Sequence, residues 1–284
     1  MNTKLNDKKK FTDKLVKIFI LFILITSSIL VILPVIWIVL SAFKTGSSLF
    51  SSTIIPKEFT LIHFKELFTE TDFPIWYFNT LKIATANMVI SVVITSLTAY
   101  AFARFEFKGR KQSLMAILVL QMFPAILAMT AIYIILMKMS LLDTHLGLIL
   151  IYAVGQIPYN TWLVKGFMGA IPKSLDEAAR IDGASNITIF RKIIFPLSKP
   201  ILVLVALTNF MGPWFDYIFP RLVIRTASKK TLAMGLFEWV RAQSTTHFTR
   251  FAAGSILVAV PIAILFIYLQ KHLVHGLSQG ATKG

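Results

Sequence analysis

Residues 18–43 read IFILFILITSSILVILPVIWIVLSAF and contain no formally charged side chain across 26 positions. A helix needs about 20 predominantly apolar residues to cross the hydrocarbon core of a bilayer, so this run predicts a transmembrane helix. A cleaved signal peptide would have a shorter apolar region, about 7–15 residues, followed by a small-x-small cleavage site. We therefore interpret the run as a retained signal anchor behind a basic tail, residues 1–17.

The composition of the whole chain indicates a membrane protein. Hydrophobic residues make up 56% of the 284 positions, charged residues 15%, and the mean hydropathy is +0.73, outside the usual range of soluble domains. The sequence has no cysteine, which excludes disulfides, cysteine-ligated metals and a thiol nucleophile. The net charge of +16 would suggest nucleic-acid binding in a soluble protein. Here the basic residues lie between apolar runs, so we predict no nucleic-acid partner.

Five further apolar runs follow the first one. Four have no formal charge, and the fifth starts at Pro200 and is interrupted by Gly212, Pro213 and Asp216. We therefore predict an all-α integral membrane protein with six transmembrane helices. The four uncharged runs are residues 83–103, 112–137, 146–164 and 251–270.

Basic residues predict the orientation of these spans. Six spans place both termini on one side of the membrane, and that side has 18 of the 29 Lys and Arg but only 6 of the 13 Asp and Glu. The positive-inside rule then predicts that both termini are cytoplasmic. The chain divides into a cytoplasmic tail 1–17, an anchor helix 18–43, an external loop 44–76, a five-helix domain 77–270 with an inner loop 171–199 and an external loop 221–250, and a cytoplasmic tail 271–284.

Nucleotide-binding and zinc-hydrolase motifs are absent from the sequence. It has no G-x-x-x-x-G-K-[ST] or H-E-x-x-H, the patterns of phosphate binding and zinc hydrolysis. His272 and His275 are interpreted as interfacial polar residues, and we assign no metal. We predict that the chain is not an enzyme and has no cofactor.

Prolines occur in five of the six predicted spans. They could kink helices that line a polar path, or they could be the prolines that membrane helices commonly contain. Asp216 is interpreted as a residue of the outer interface. The prolines are Pro34, Pro124, Pro158, Pro213 and Pro261.

The inner loop, residues 171–199, reads IPKSLDEAARIDGASNITIFRKIIFPLSK. Ser174 and Glu177 have the spacing of a capping box, which predicts a helix that begins at Leu175. Gly183 is predicted to end that helix in the left-handed conformation, which costs other residues roughly 1 kcal/mol or more.

A second short helix is predicted between Gly183 and Pro196. Four apolar side chains in it have helical spacing, and Pro196 and Pro200 are predicted to close it before span five. In the first helix, Leu175, Ala178 and Ala179 share a small apolar face that suits docking of another protein. The alternative is an interfacial amphipathic hairpin without a partner. The four apolar residues are Ile187, Phe190, Ile193 and Ile194.

This loop resembles the EAA loop of ATP-binding-cassette importer permeases. Phe195 departs from the pattern, which usually has an aliphatic residue there. The resemblance implies a coupling helix that sits in a cleft of a separate cytoplasmic ATPase, which would account for the missing nucleotide motif. The ATPase-docking residues that it implies are Glu177, Ala178, Ala179, Asp182, Gly183, Ala184, Phe190 and Pro196, and Ile193, Leu197 and Pro200 complete the match.

Other segments are similar to the second, shorter subunit of maltose-type sugar permeases. They are Asn79–Thr80, the AYAFAR element at 99–104 and the closing GLSQGATKG at 276–284. The resemblance implies that this chain forms half of an oligosaccharide pathway in a prokaryotic cell membrane, with maltose or maltodextrin favoured and 77–270 as the permease domain. The implied partners are a longer permease subunit, an ATPase pair and an extracytoplasmic sugar-binding protein.

Several alternatives stay open at this point. A galacto-oligosaccharide or another sugar is possible, because the inner loop faces the ATPase and not the substrate. An ion-coupled secondary transporter would need ionisable residues within the spans, and almost none lie there. A membrane-embedded enzyme would need clustered His, Asp or Glu at a span end, and the sequence has no such cluster. The external loop 221–250 combines basic and aromatic residues, so it either meets the binding protein or is simply solvated.

Overall fold

The computed structural model describes the backbone of residues 2–46, 55–124, 126–241 and 248–281, and the side chains of 14–46, 55–124, 126–240 and 248–271. Within these ranges the chain is helical and has no β-strand, apart from one isolated bridge between Lys44 and Phe59. The predicted all-α class is therefore confirmed.

The described ranges contain thirteen α-helices. A π-helical turn, Phe190–Ile194, joins α8 to α9, and a 3₁₀ turn, Ala227–Lys229, precedes α12. The helices are α1 (Asn2–Ala42), α2 (Ile62–Thr69), α3 (Phe73–Arg104), α4 (Arg110–Gln121), α5 (Met129–Lys138), α6 (His145–Ala170), α7 (Ser174–Ile181), α8 (Asn186–Ile189), α9 (Phe195–Leu197), α10 (Lys199–Phe215), α11 (Ile218–Val223), α12 (Leu232–Arg241) and α13 (Phe248–Ala281).

Each predicted span coincides with helix, but the third is broken. Residues 112–137 form α4 and α5, which are separated around Pro124, where the chain lacks an N–H donor and the ring opposes a helical turn. The other four prolines lie inside continuous helices.

Three helical stretches in the described residues are long and apolar enough to cross a membrane: Lys14–Ala42, Phe73–Arg104 and Phe248–Lys271. A fourth candidate is the pair Asn186–Leu197 and Lys199–Phe215, whose axes bend by 77°. The count of six spans stays a prediction.

The two segments predicted as external loops contain helices. Residues 44–76 include α2 and the first turn of α3, and residues 221–250 include α12 and the start of α13. Leu232, Met234 and Leu236 of α12 are buried, so this segment packs onto the bundle instead of extending as a loop. The apolar residues of α12 supply the free energy that orders it.

The helix α3 lies at the centre of the bundle, where it packs against both α6 and α10. Its inner half joins a group of buried side chains that we call the loop cluster, because residues of the loop between α6 and α10 complete it. The loop cluster consists of Ala99, Tyr100, Ala103, Val164, Met168, Ile189, Ile194, Leu202 and Val205.

Gly235 of α12 lies directly against the Trp76 ring of α3. An added Cβ would lie 2.0 Å from Cε3 of the Trp76 indole, whereas real Cβ contacts essentially never fall under 3.0 Å. We therefore expect Gly235→Ala to separate the two helices and to lower the free energy of unfolding by about 1–3 kcal/mol. Thermal unfolding of the purified protein in detergent measures the change.

Gly166 of α6 provides the control. No described atom lies within 4 Å of a Cβ at this position, and alanine is the better helix former by up to about 1 kcal/mol. Gly166→Ala should therefore leave the stability unchanged or raise it. An equal loss in both variants would contradict the role of the Trp76 contact.

Candidate docking site

The loop between α6 and α10 begins with α7, which starts one residue earlier than predicted. The predicted capping box is wrong: Lys173 is the N-cap, and the helix start has no side-chain capping hydrogen bond. Backbone carbonyls take that role, because the N–H groups of Asp176 and Glu177 donate to the Lys173 oxygen at 2.9 and 3.0 Å. The turn before the helix satisfies these N–H groups, so the Ser174 and Glu177 side chains stay exposed.

Gly183 ends this helical segment as the sequence predicted. Its φ is +79°, in the left-handed region that glycine adopts without steric cost. The Ala184 N–H donates to the Ala179 carbonyl at 2.9 Å and the Gly183 N–H to that of Arg180 at 3.0 Å, a Schellman-type ending. Ser185 then caps α8, since its Oγ accepts from the Thr188 N–H.

The second helical segment turns three of its four predicted apolar residues toward the bundle. Ile194 is fully buried, and Phe190 and Ile193 are partly buried against the loop cluster, whereas Ile187 is 70% exposed. Ile189, which was not predicted, is also fully buried, because the i→i+5 bonding of the π-helical turn places it on the same side as Ile194. Pro196 and Pro200 close the segment as predicted. The continuous helical segment Asn186–Leu197 ends one residue after Pro196, Pro200 lies in the first turn of α10, and the chain bends by 77° between the two helices.

A buried ion pair attaches this loop to the end of α3. Arg104 Nε lies 2.7 Å from Asp176 Oδ2, and the two side chains are only 2% and 6% exposed. Arg104 Nη2 also donates to the Ile171 carbonyl at 3.0 Å. Removing one partner of a buried pair leaves an uncompensated charge, so each residue requires the other.

Tyr100 makes a second attachment, one helical turn before Arg104. Its hydroxyl donates to the Asn186 carbonyl at 3.2 Å, and its ring centroid lies 5.0 Å from that of Phe190. Ala99 and Ala103 are buried beside it, and their small side chains allow the loop to approach the helix closely. Residues 99–104 therefore form the surface against which the loop packs.

The structure divides the eight predicted docking residues between two sides of the loop. Ala179, Ala184 and Phe190 are partly buried and pack on the loop cluster. Of the predicted apolar face, only Ala179 is turned inward, since Leu175 and Ala178 are exposed. The docking residues on the exposed side are Glu177, Ala178, Asp182, Gly183 and Pro196.

Two residues outside the predicted docking set extend the exposed side. Ile181 is 87% exposed and Ile187 is 70% exposed. Large apolar side chains exposed together beside charged ones are typical of a surface that another protein covers. The pairing of Arg104 with Asp176 was also not predicted, although Arg104 lies in the 99–104 element and Asp176 in the inner loop. The sequence already indicates that Ile181 is exposed, because this large apolar residue lies off the apolar face of Leu175, Ala178 and Ala179 in the same helix.

The opposite end of the bundle has its own polar cluster, around Asp143. Its carboxylate accepts from the hydroxyl and N–H of Thr226, from the Arg225 N–H and from Lys229 Nζ. These bonds, foremost that from the Thr226 hydroxyl, hold the pKa of Asp143 well below its usual range. They fix residues 225–229 against the turn between α5 and α6.

Asp216 has a structural role at the end of α10. One carboxylate oxygen accepts from the Ile218 N–H at 2.8 Å, and the other accepts from the Tyr152 hydroxyl at 2.9 Å. Among the described side chains, no group of three or more His, Asp or Glu could hold a metal ion.

Long apolar helices with exposed side chains are typical of a protein embedded in a membrane. Residues 91–279 match the family described as binding-protein-dependent transport system inner membrane component. The chain belongs to this family, and so it is a non-enzymatic permease subunit located in the membrane. Family membership removes the ion-coupled transporter and the membrane-embedded enzyme from the alternatives.

Characterised relatives support the same assignment. The maltodextrin transport system permease protein MdxG of Bacillus subtilis is 44% identical over 257 residues, 90% of this chain and 92% of that protein. The galactooligosaccharides transport system permease protein GanQ of the same organism is 42% identical, covering 94% and 95%. The maltodextrin permease protein MalD of Streptococcus pneumoniae is 40% identical over the full length of both chains. The predicted resemblance to sugar permeases is confirmed.

Solved structures share the fold. A chain of a bacterial ABC transporter that imports the acidic polysaccharide alginate has a TM-score of 0.80, covering 92% of this chain and 97% of that one, at 21% identity. Another structure of a bacterial alginate ABC transporter, in complex with an alginate pentasaccharide-bound periplasmic protein, has a TM-score of 0.64 at 16% identity.

The buried ion pair gives a direct prediction. Asp176→Ala leaves Arg104 without its partner, so we expect the free energy of unfolding to fall by about 3–5 kcal/mol. Asp182→Ala, at an exposed carboxylate of the same loop, should change it by no more than about 0.5 kcal/mol. Thermal unfolding in detergent compares the two variants. Similar losses in both would show that the ion pair does not hold the loop.

Proposed function

We propose that this chain is one of two permease subunits of an ATP-driven oligosaccharide importer that takes up maltodextrin. The observation that carries the proposal is the loop at 171–199. Its Asp176 is fixed to Arg104 of α3, and its other side exposes charged and apolar side chains. Relatives at 44% and 40% identity over nearly the whole chain are named as maltodextrin permeases, which supports the substrate class.

The exposed side of the loop is proposed to dock into a separate cytoplasmic ATPase. Its two helical segments meet at the fixed turn of Gly183, so the surface is rigid before binding, which reduces the entropy that docking would cost. Ile181 and Ile187 supply apolar area at the contact, and Glu177 and Asp182 supply charge. Apolar anchors surrounded by polar residues are a common arrangement in protein interfaces.

The proposed topology has six spans and cytoplasmic termini. The excess of basic residues on the loop side supports this orientation. The helix α3 has the docking loop at its Arg104 end and residues 228–232 at its Asn79 end, so these two segments lie on opposite sides of the bundle. The exposed apolar length of α1 is then available to lipid and to the second, longer permease subunit.

The segment 221–250 is proposed to face an extracytoplasmic sugar-binding protein. Asp143 and Asn79 hold its first part in place, while Arg225, Thr226 and Ser228 remain exposed. The family description names a binding protein as the partner of such transport systems, and one solved relative includes a bound periplasmic protein.

Galactooligosaccharides are the second candidate substrate, because GanQ is 42% identical over 94% of this chain. The docking loop does not distinguish the two sugars, since it would contact the ATPase and not the substrate. Competition for uptake between labelled maltodextrin and unlabelled galactooligosaccharide separates them: competition by maltodextrin alone supports the first proposal, and competition by galactooligosaccharide alone supports the second.

Gly183 tests the docking proposal. No described atom lies within 4 Å of an added Cβ, so a side chain there would strain the backbone without a clash. Gly183→Val should cost about 1–2 kcal/mol at positive φ and should release the ATPase from membranes or abolish sugar uptake. Gly183→Asn should retain both, because asparagine tolerates this conformation. ATPase retention on membranes and sugar uptake are the measurements.

Lys173→Arg serves as the conservative control in the same loop, and it should behave as wild type. If Gly183→Val transports sugar as well as wild type while the ATPase stays bound, the loop is not the coupling element.

The topology has a separate test that uses the absence of cysteine. Ser185 and Ser228 are both exposed, so a single cysteine at either site should react with a membrane-impermeant thiol reagent. We expect Ser185→Cys to label only from the cytoplasm and Ser228→Cys only from outside. Labelling of both sites from the same side would contradict the six-span arrangement.

A further inference from the structure

We propose that α3 is a rigid connector that transmits movement between the docking loop and the external segment 224–232, so that residues at its two ends control the same coupling. The inference rests on the proposed function, in which the docking loop meets an ATPase and the external segment faces a binding protein. It adds a route between these two partners.

The inner end of α3 holds the docking loop at three points. Arg104 pairs with Asp176 at 2.7 Å and donates to the Ile171 carbonyl, and the Tyr100 hydroxyl donates to the Asn186 carbonyl. These contacts reach residues before, within and after the first helical segment of the loop. A displacement of the loop therefore acts on the end of α3 as a unit.

The outer end of α3 holds the external segment by the same kind of contact. Asn79 Nδ2 donates to the carbonyls of Ser228 and Lys230, both at 2.9 Å. Thr80 is fully buried, and its Oγ1 accepts from the Leu232 N–H at 2.8 Å. Side chains of consecutive residues thus bind the backbone of the external segment on both sides of residue 231.

Between these ends α3 is continuous. It has 32 residues, which makes it about 48 Å long at 1.5 Å per residue. It contains no glycine, and its only proline is in the first turn, where it breaks no bond. Every other described helix of more than fifteen residues has an internal proline, namely α1, α6, α10 and α13.

The competing route runs through α10, which continues directly from the loop. Its axis bends by 77° against the second helical segment of the loop, Asn186–Leu197, and Pro213 interrupts its bonding near the other end. Proline removes a helical hydrogen bond and is a common cause of bending. Asn87 Nδ2 of α3 donates to the Asn209 carbonyl of α10 at 2.7 Å, so α10 is fastened to α3 midway. Because α3 has no internal proline, it is the stiffer of the two connections between the docking loop and the external segment.

The test uses the complete transporter in proteoliposomes: this chain, the second permease, the ATPase pair and the binding protein loaded with maltodextrin. The measured quantity is the factor by which the loaded binding protein stimulates ATP hydrolysis. Asn79→Ala and Arg104→Lys, at opposite ends of α3, should each lower this factor by about two- to thirty-fold, the range produced by changes along a coupling path. ATPase retention in the complex should not change.

Gln121→Ala is the matched control for Asn79→Ala. Gln121 Nε2 donates to the Gly155 carbonyl at 3.0 Å, a side-chain-to-backbone bond between helices that does not involve α3. This variant should keep the stimulation of wild type.

Val89, an exposed residue midway along α3, tests the rigidity of the helix itself. Val89→Gly should lower the stimulation because glycine loosens the helix interior, whereas Val89→Ala should not. Wild-type stimulation in both Asn79→Ala and Val89→Gly would overturn the connector and leave the proposed function in place. Both proposals would be overturned if the wild-type complex did not retain the ATPase, or if the loaded binding protein did not stimulate ATP hydrolysis.

Discussion

Hydrocarbon offers no hydrogen-bond partner to a peptide group, so a chain that crosses a bilayer must pair its N–H and C=O groups internally. The described residues meet this constraint with helices alone. Where a helix opens, as around Pro124 between α4 and α5, the freed groups need protein or water nearby. This constraint fixes the all-helical class of the fold. Charged side chains are therefore placed mainly at the ends of the helices.

An ion pair lies at one such helix end. Arg104 closes α3 and is almost fully buried by the loop that it binds. A buried arginine is tolerated because Asp176 neutralises it and the Ile171 carbonyl takes a further donor. The pair fastens the loop to the bundle while the other side of the loop stays exposed. A surface held in this way can receive force from a partner without separating from the membrane domain.

The family assignment and the structure agree on what this chain does and what it leaves to others. The chain is a permease of a binding-protein-dependent transport system, and its sequence has no nucleotide-binding motif. In our proposal, energy and substrate selection reach it through surfaces at its two ends, the docking loop and the segment around residues 224–232. The helix α3 touches both, which gives it a central position in packing and, in our proposal, in coupling.

The sequence by itself determined the features that depend on neighbouring residues. Apolar runs marked the helices, the glycine at 183 marked a left-handed turn, and the pattern around Glu177 identified the family. Each of these is local, because hydrophobicity, backbone freedom and spacing act over a few positions.

Only the tertiary structure decided how distant segments meet. Ser174 and Glu177 have the spacing of a capping box, yet the preceding turn bonds the helix instead. Ile187 has helical spacing with its neighbours, yet it is exposed, and Ile189, which that spacing does not select, is buried. The pairing of Arg104 with Asp176 depends on the packing of α3 against the loop, and no local rule gives the distance between residues so far apart in sequence. The physical reason is that burial and charge compensation are properties of the assembled bundle.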